Sequence, residues 1–133
     1  MISIFDTESI IFNLLNNKTS VGSKVYVGDT RPLNDENEAI TINTITLMSD
    51  ALPMTGVSNI NVYCPDIVTI VNGLKQKKSN RVRLREISKE VISIIRTATV
   101  DGILITPDTI TTSYDYQVHQ HYTNIRLNWL IQK

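Results

Sequence analysis

The sequence predicts an α+β domain, with a mainly antiparallel sheet packed by an N-terminal helix and one long amphipathic helix. Two segments repeat apolar residues at helical spacing, and several others alternate apolar with polar residues as half-buried strands do. The connections between these segments are short, which favours antiparallel neighbours in one sheet. The length of 133 residues, of which 41% are hydrophobic and 20% charged, suits a single domain over 1–133.

The N-terminal helix is predicted from a capping residue followed by an apolar face. Asp6 can accept hydrogen bonds from the first free backbone amides, and Glu8 suits the positive end of the helix dipole. The apolar residues that share one face after it are Ile10, Ile11, Leu14 and Leu15. Asn16 and Gly22 favour an end to the helix.

Three strands are expected in the first half of the chain, over 24–28, 40–47 and 60–64. In the second of them the alternation changes phase between Ile42 and Ile45. A β-bulge near Asn43 and Thr44 would restore the alternation, and a strand covered on both faces is the other explanation. Residues 48–59, with Pro53 and Gly56 among them, predict a long loop.

The second half predicts one dominant helix. After a short helical turn capped by Asp66 and a basic polar loop over 72–80, we expect an amphipathic helix over 81–98. Its apolar stripe consists of Leu84, Ile87, Val91, Ile94, Ile95 and Ala98. The elements expected after it are a short strand over 103–105, a connection starting at Pro107, a long strand over 110–118 and a final strand over 125–131.

The formal net charge is zero, but the two signs are separated along the chain. Residues 1–70 carry three bases and eight acids, whereas residues 71–133 carry ten bases and five acids. If folding keeps the two halves on different faces, the subunit has a dipole that favours stacking on copies of itself or on charged partners. If the halves interleave in space, the signs mix and this tendency disappears.

No residue pattern of an enzyme is found, and we expect no catalytic residue, no metal and no cofactor. The five glycines are too far apart to form a loop that cradles phosphate. Cys64, the only cysteine, alternates with polar residues and is therefore expected to fill space in the core. As a nucleophile it would need His119 or His121 beside it. On a strand the two histidines would share a face, which suits a metal, but a solvated hairpin end is the favoured explanation.

Two loops of the first half are candidate contact surfaces. The first is acidic, and its candidate contacts are Asp35, Glu36 and Glu38. It lacks the glycine and the spacing of a calcium loop, so a patch that faces a partner and a solvated loop remain as explanations. The second loop carries apolar side chains outside any pattern, namely Met48, Leu52 and Met54. These side chains are either docking anchors or a cover over the protein's own core.

The strongest charged feature is a run of seven bases in fifteen residues, which contains one acid, Glu86. The bases are Lys75, Lys77, Lys78, Arg81, Arg83, Arg85 and Lys89. An acidic protein partner, the phosphates of a nucleic acid and a solvated helix start are the three explanations. A small DNA-binding module is therefore the alternative function, although the run has no aromatic residue for base stacking.

Two stretches of the sequence, together with the order of the predicted elements around them, carry a resemblance to a known class of proteins. They are KVYVGDTRPLNDENEAITINTITL at residues 24–47 and GVSNINVYCPD at residues 56–66. A short helix precedes them, and a basic amphipathic helix and a terminal β-hairpin follow. In the order of its elements, in its size and in these two sequence segments, the chain resembles the tail-terminator, tail-completion and head-to-tail joining proteins of tailed bacteriophages.

This resemblance implies a structural virion protein of the tail or neck, assembled in the host cytoplasm, and no enzyme. Such subunits form a ring, with a hexamer favoured and a dodecamer possible, that ends growth of the tail tube and joins the tail to the head connector. The implied partners are other neck, connector or tail-tube proteins, with DNA passing non-specifically through the lumen. A basic lumen would bind the phosphates of the DNA that passes through it. We therefore expect residues 75–89 to lie outside the lumen and to face a neighbouring protein. No window of ~20 apolar residues occurs, so we expect no membrane span.

Overall fold

The described part of the chain, residues 2–48 and 52–132 of a computed structural model, contains two helices and seven strands. In chain order they are α1 (Ile4–Leu15), β1 (Val25–Val27), β2 (Ala39–Met48), β3 (Met54–Cys64), β4 (Ile67–Val71), β5 (Leu74–Lys78), α2 (Arg81–Thr97), β6 (Ile103–Asp115) and β7 (Gln120–Ile131). Five strands form one sheet in the order β1-β2-β3-β7-β6, in which β1 and β2 are parallel and the other neighbours antiparallel. The α+β class with a mostly antiparallel sheet is confirmed.

Both helices lie against this five-stranded sheet. Helix α1 packs on β1 and β2, and α2 packs on β3, β6 and β7. The strand registers place Ile42 opposite Ile60 and Ile60 opposite Ile125, so a row of fully buried isoleucines crosses the sheet beneath the helices. Burial of each such side chain stabilises the fold by about 2 kcal/mol.

Helix α1 begins earlier than the sequence predicted, because its N-cap is Ser3 and not Asp6. The Ser3 backbone N–H donates to Asp6 Oδ2 at 2.7 Å, and the Asp6 backbone N–H donates to Ser3 Oγ at 3.3 Å. This reciprocal pair is a capping box. The hydrogen bonds from the Ser3 backbone and hydroxyl also lower the pKa of the Asp6 carboxyl.

Of the two explanations for the change of phase in β2, the bulge is the one present, since the register with β3 shifts between Thr44 and Thr46. At this point buried polar groups join α1 to the sheet. The Thr44 backbone N–H donates to Glu8 Oε2 at 2.9 Å, and Thr44 Oγ1 lies 2.8 Å from Ser58 Oγ. Ser58 Oγ in turn accepts from Trp129 Nε1 at 2.8 Å. The polar atoms freed by the bulge therefore find partners inside the core.

The chain over 103–115 forms one strand, β6, and not the two strands that the sequence predicted. Pro107 is accommodated because β6 is an edge strand and its register with β7 shifts between Pro107 and Ile110. The turn between β6 and β7 ends at His119, which has a positive φ of 54°. No helix within residues 2–48 and 52–132 is long and apolar enough to cross a membrane.

Candidate functional site

A two-stranded hairpin stands between β3 and α2 and forms a sheet of its own. Strands β4 and β5 pair antiparallel over their whole length. The two residues that join them, Asn72 and Gly73, have φ values of 52° and 78°. Positive φ at both positions is what a type I′ turn requires, and this turn matches the twist of the flanking strands.

The helical turn expected after Asp66 and the loop expected over 72–80 are therefore wrong. Five residues with strand preference, 67–71, run directly into the Asn72-Gly73 dipeptide. An Asn-Gly pair between two strand-like segments is the strongest local signal for a hairpin. The Asn72-Gly73 pair predicts the hairpin from the sequence, whereas the lysines over 75–78 favour the polar loop that was expected.

The hairpin exposes its apolar side chains. They are between 39% and 68% exposed, and they are Ile67, Val68, Ile70, Val71 and Leu74. None of the other described helices or strands packs extensively on β4 or β5. Because an isolated two-stranded hairpin is marginally stable in water, covering these side chains would stabilise it.

The same hairpin carries only positive charge. Residues 67–78 include three lysines and no acid. Paired residues share a face, so Val68 and Ile70 lie beside Lys77 and Lys75 on one side of the hairpin. The hairpin is therefore an apolar and cationic projection.

The basic run of the sequence is divided between two elements. Three of its bases are exposed on β5 and three on α2: Lys75, Lys77 and Lys78, then Arg81, Arg85 and Lys89. Arg83 differs, because it is half-buried against the rest of the chain. Its Nε donates to Glu38 Oε2 at 2.6 Å and its Nη2 donates to Glu38 Oε1 at 2.9 Å. These hydrogen bonds to Glu38 raise the pKa of Arg83, and they join the basic half of the chain to the acidic half.

The acidic loop before β2 is held by Arg31. Arg31 Nε donates to Asp35 Oδ2 at 3.2 Å, and Arg31 Nη2 donates to the backbone oxygens of Asp35 and Asn37 at 3.0 and 3.1 Å. The same Nη2 donates to Gln120 Oε1 at 2.9 Å, and the guanidinium lies 4.4 Å from the Tyr63 ring centroid. The loop is thereby fastened to β3 and β7.

Of the three acids expected to face a partner, only Glu36 is exposed. Asp35 is paired with Arg31, and Glu38 with Arg83. Burial raises the pKa of the Asp35 carboxyl, but hydrogen bonds from Asn37 and Arg31 outweigh it, and the net pKa is lowered. Asp35 and Glu38 therefore stabilise the subunit itself.

The three apolar candidates of the second loop divide in a similar way. Met48 ends β2 with an exposed side chain, and Leu52 is also exposed. Met54 is not a docking anchor, because it begins β3 opposite Ile131 and is buried in the core. Residues 49–51 of this loop lie outside the described residues.

A groove of about 850 Å³ opens beside the fastened loop. Its apolar wall comes from α1 and the loop, and it consists of Ile4, Phe5, Pro32 and Leu33. Its floor includes Thr41 and Asn61, which lie opposite each other in the register of β2 and β3 and alternate with core residues. Asp29 and Asp115 add negative charge, and the only base in the lining is the paired Arg31.

The residues considered for catalysis and metal binding do not form a reactive site. Burial raises the pKa of the Cys64 thiol to about 12, so the thiolate is scarce near neutral pH. His121 is opposite Cys64 in the register, but its Nδ1 lies 2.8 Å from Asp66 Oδ1. His119 is exposed in the turn, as the favoured explanation of a hairpin end predicts, whereas His121 lies in β7, so the two histidines do not share a strand face. Within the part of the chain that the structure describes, no three His, Cys, Asp or Glu side chains cluster as metal ligands.

No protein-family model matches this chain, and no curated protein matches it.

Proposed function

We propose that the protein is a structural subunit of the neck or tail of a tailed bacteriophage, one that assembles into a ring, joins the tail to the head connector and ends growth of the tube. The observation that carries this proposal is the β4–β5 hairpin, which holds apolar residues away from the core. Full burial of one such side chain gains roughly 1.5–3 kcal/mol, so several of them favour association strongly.

The charge of the hairpin supports a ring over a two-fold dimer. Two hairpins packed against each other would bring Lys75 and Lys77 of both copies together, and like charges in a contact are unfavourable. A contact between the hairpin and a different patch of the next copy avoids this repulsion. Such a head-to-tail contact closes into a ring when its rotation allows.

Light scattering after size-exclusion chromatography, followed by electron microscopy, tests the proposal. We expect the mass to grow with protein concentration towards a hexamer or dodecamer, and the particles to show a central hole. Purified connector or tail-tube protein should bind the ring. A protein that stays monomeric at high concentration and forms no larger species with those partners would contradict the proposal.

A DNA-binding module is the second candidate, and the exposed bases on β5 and α2 favour it. It predicts DNA binding that weakens steeply with salt and with charge reversal at Arg81 and Arg85. A gel-shift experiment at low salt decides this: absence of a shifted band removes the candidate. DNA binding alone would leave the exposed apolar side chains of the hairpin unexplained.

A further inference from the structure

We infer that the β4–β5 hairpin of one copy docks in the groove beside Phe5 and Leu33 of a second copy. This inference rests on the proposed ring and names the two surfaces that build it. The hairpin contributes no residue to the lining of the groove, so the two surfaces consist of different residues of one chain. Each docking event therefore leaves one hairpin and one groove free, and further copies can be added at both ends.

The apolar parts of the two surfaces match in character. Phe5 is 71% exposed and Leu33 is 93% exposed, although both line a concave surface. Val68 and Ile70 project from one side of the hairpin, which is convex and narrow. Inserting the hairpin would remove all four side chains from water together, which is how apolar anchors act at the centre of an interface.

The charges of the two surfaces are opposite. Asp29 lines the groove and is exposed. Asp115 accepts from Tyr63 Oη at 3.2 Å and from the Gln117 backbone N–H at 2.9 Å, so its carboxylate is fixed in place at the groove. Lys75 and Lys77 would bring two positive charges to these carboxylates.

A second groove, between α2 and β6, is a poorer receptor. It has a volume of about 490 Å³ and contains the exposed apolar residues Val82 and Ile110. Its charged lining is mainly basic, with Arg81, Arg85 and Lys89 against Glu86 alone. A hairpin with three lysines would meet like charge there, so the observations favour the groove at Phe5 and Leu33.

The length of the hairpin is sufficient for it to reach a neighbour. Five residues per strand extend roughly 17 Å at about 3.4 Å per residue. The base of the hairpin lies at the body, where Val68 and Lys77 share a small depression with Val118 and His119. Val68, Ile70 and Leu74 all stay more than 60% exposed, and they are the part of the hairpin that a second copy would cover.

The test combines two variants that each lose one surface. The hairpin variant carries Val68→Ser and Ile70→Ser, and the groove variant carries Phe5→Ser and Leu33→Ser. All four residues are exposed, so circular dichroism should show folded protein in both cases. We expect each variant alone to associate about tenfold or more weakly than the unmodified chain.

Mixing the two variants distinguishes head-to-tail docking from other contacts. The intact hairpin of the groove variant should fill the intact groove of the hairpin variant, and growth should stop at a one-to-one dimer. Val82 is an exposed apolar residue outside both surfaces, so the Val82→Ser variant should assemble like the unmodified chain. Sedimentation velocity measures all of these species.

The outcomes separate this inference from the proposed function. Rings that still form from the groove variant, or a mixture that stays monomeric, overturn the docking and leave the ring proposal standing. Growth of the unmodified chain into open filaments, together with a one-to-one dimer in the mixture, supports the docking and contradicts the ring. An unmodified chain that never self-associates overturns the docking.

Discussion

Two connecting segments of this protein, the loop over residues 28–38 and the β4–β5 hairpin, differ in two respects. The loop is irregular but is held by many contacts to the subunit, whereas the hairpin is regular but has few such contacts. Residues 28–38 contain no helix or strand, yet Arg31, Asp35 and Gln120 tie them to the rest of the subunit. The β4–β5 hairpin is fully regular, with a well-formed turn, yet no other described element packs extensively on it. Regular backbone structure and firm attachment are therefore independent properties here.

The difference follows from where the side chains find their partners. In the loop, one guanidinium satisfies the oxygens of several residues, and Gln120 Nε2 donates back to the Glu36 backbone oxygen at 2.7 Å. In the hairpin, the backbone groups of the two strands pair with one another and the apolar side chains stay exposed. Contacts inside the subunit use the polar side chains Arg31 and Asp35 of the loop, whereas its Leu33 and the apolar side chains of the hairpin stay exposed and available to a partner.

The largest expected effect is the loss of Arg31. Its side chain is only 9% exposed and that of Asp35 only 7%. Arg31→Gln would leave Asp35 Oδ2 and the backbone oxygens of Asp35 and Asn37 without this donor, although Asn37 still donates to Asp35 Oδ1, so we expect the free energy of unfolding to fall by about 3 kcal/mol. Urea denaturation measures the loss. Arg85→Gln, at an exposed site on α2, is the matched control and should change it by less than about 0.5 kcal/mol.

An effect of Arg31→Gln as small as that of the control would show that the loop is fastened by other contacts. The hydrogen bond from Gln120 to Glu36 is then the next candidate. In that case Gln120→Ala should give the larger loss.

The sequence was sufficient for the elements whose apolar pattern is long. The amphipathic stripe of residues 81–98 predicted α2 to within one residue at its end. The change of phase between Ile42 and Ile45 indicated a bulge in β2 as one of two explanations, and the register confirms that one. In both cases the apolar residues of one element repeat at a spacing that the local sequence shows directly.

The sequence was insufficient where a contact joins distant residues. The partners of Arg31 include Gln120, and Arg83 pairs with Glu38, across 89 and 45 residues. Nothing near Glu38 indicates that it faces an arginine of the same chain and not a partner. The groove has the same origin, because α1, the loop and β3 meet there only after folding.

The second effect concerns the turn of the hairpin. Gly73→Val places a β-branched residue at a φ of 78°, which costs about 1–2 kcal/mol. We expect the amides of β4 and β5 to exchange with solvent faster, while those of β3 and β7 keep their protection. Gly73→Asn is the control, because asparagine tolerates left-handed backbone and should preserve the hairpin. Equal loss of protection from amide exchange in both sheets would mean that the hairpin unfolds together with the five-stranded sheet.

The third effect is the acid sensitivity of the loop. The folded pKa of Asp35 lies below its unfolded value of about 3.9, so its stabilising contribution is present above that pH and is lost as the pH falls through the folded value. The free energy of unfolding should fall as the pH is lowered from about 5 to about 3. The fall should be smaller in Asp35→Asn, and the fall that remains includes the exposed Asp6, whose pKa is also lowered. An unchanged pH dependence in Asp35→Asn would contradict this origin.

The smallest expected effect on the subunit comes from the apolar residues of the hairpin. Ile70 is 68% exposed, so Ile70→Ala should change the unfolding free energy of the dilute, monomeric protein by less than about 0.5 kcal/mol. Ile60→Ala is the matched control within the core, where full burial predicts a loss of about 3 kcal/mol. At concentrations that favour association, Ile70→Ala should lower the melting temperature, because the unmodified chain gains stability from assembly. A loss above about 1 kcal/mol in the dilute protein would mean that the hairpin folds back on its own subunit. The contrast between loop and hairpin would then disappear.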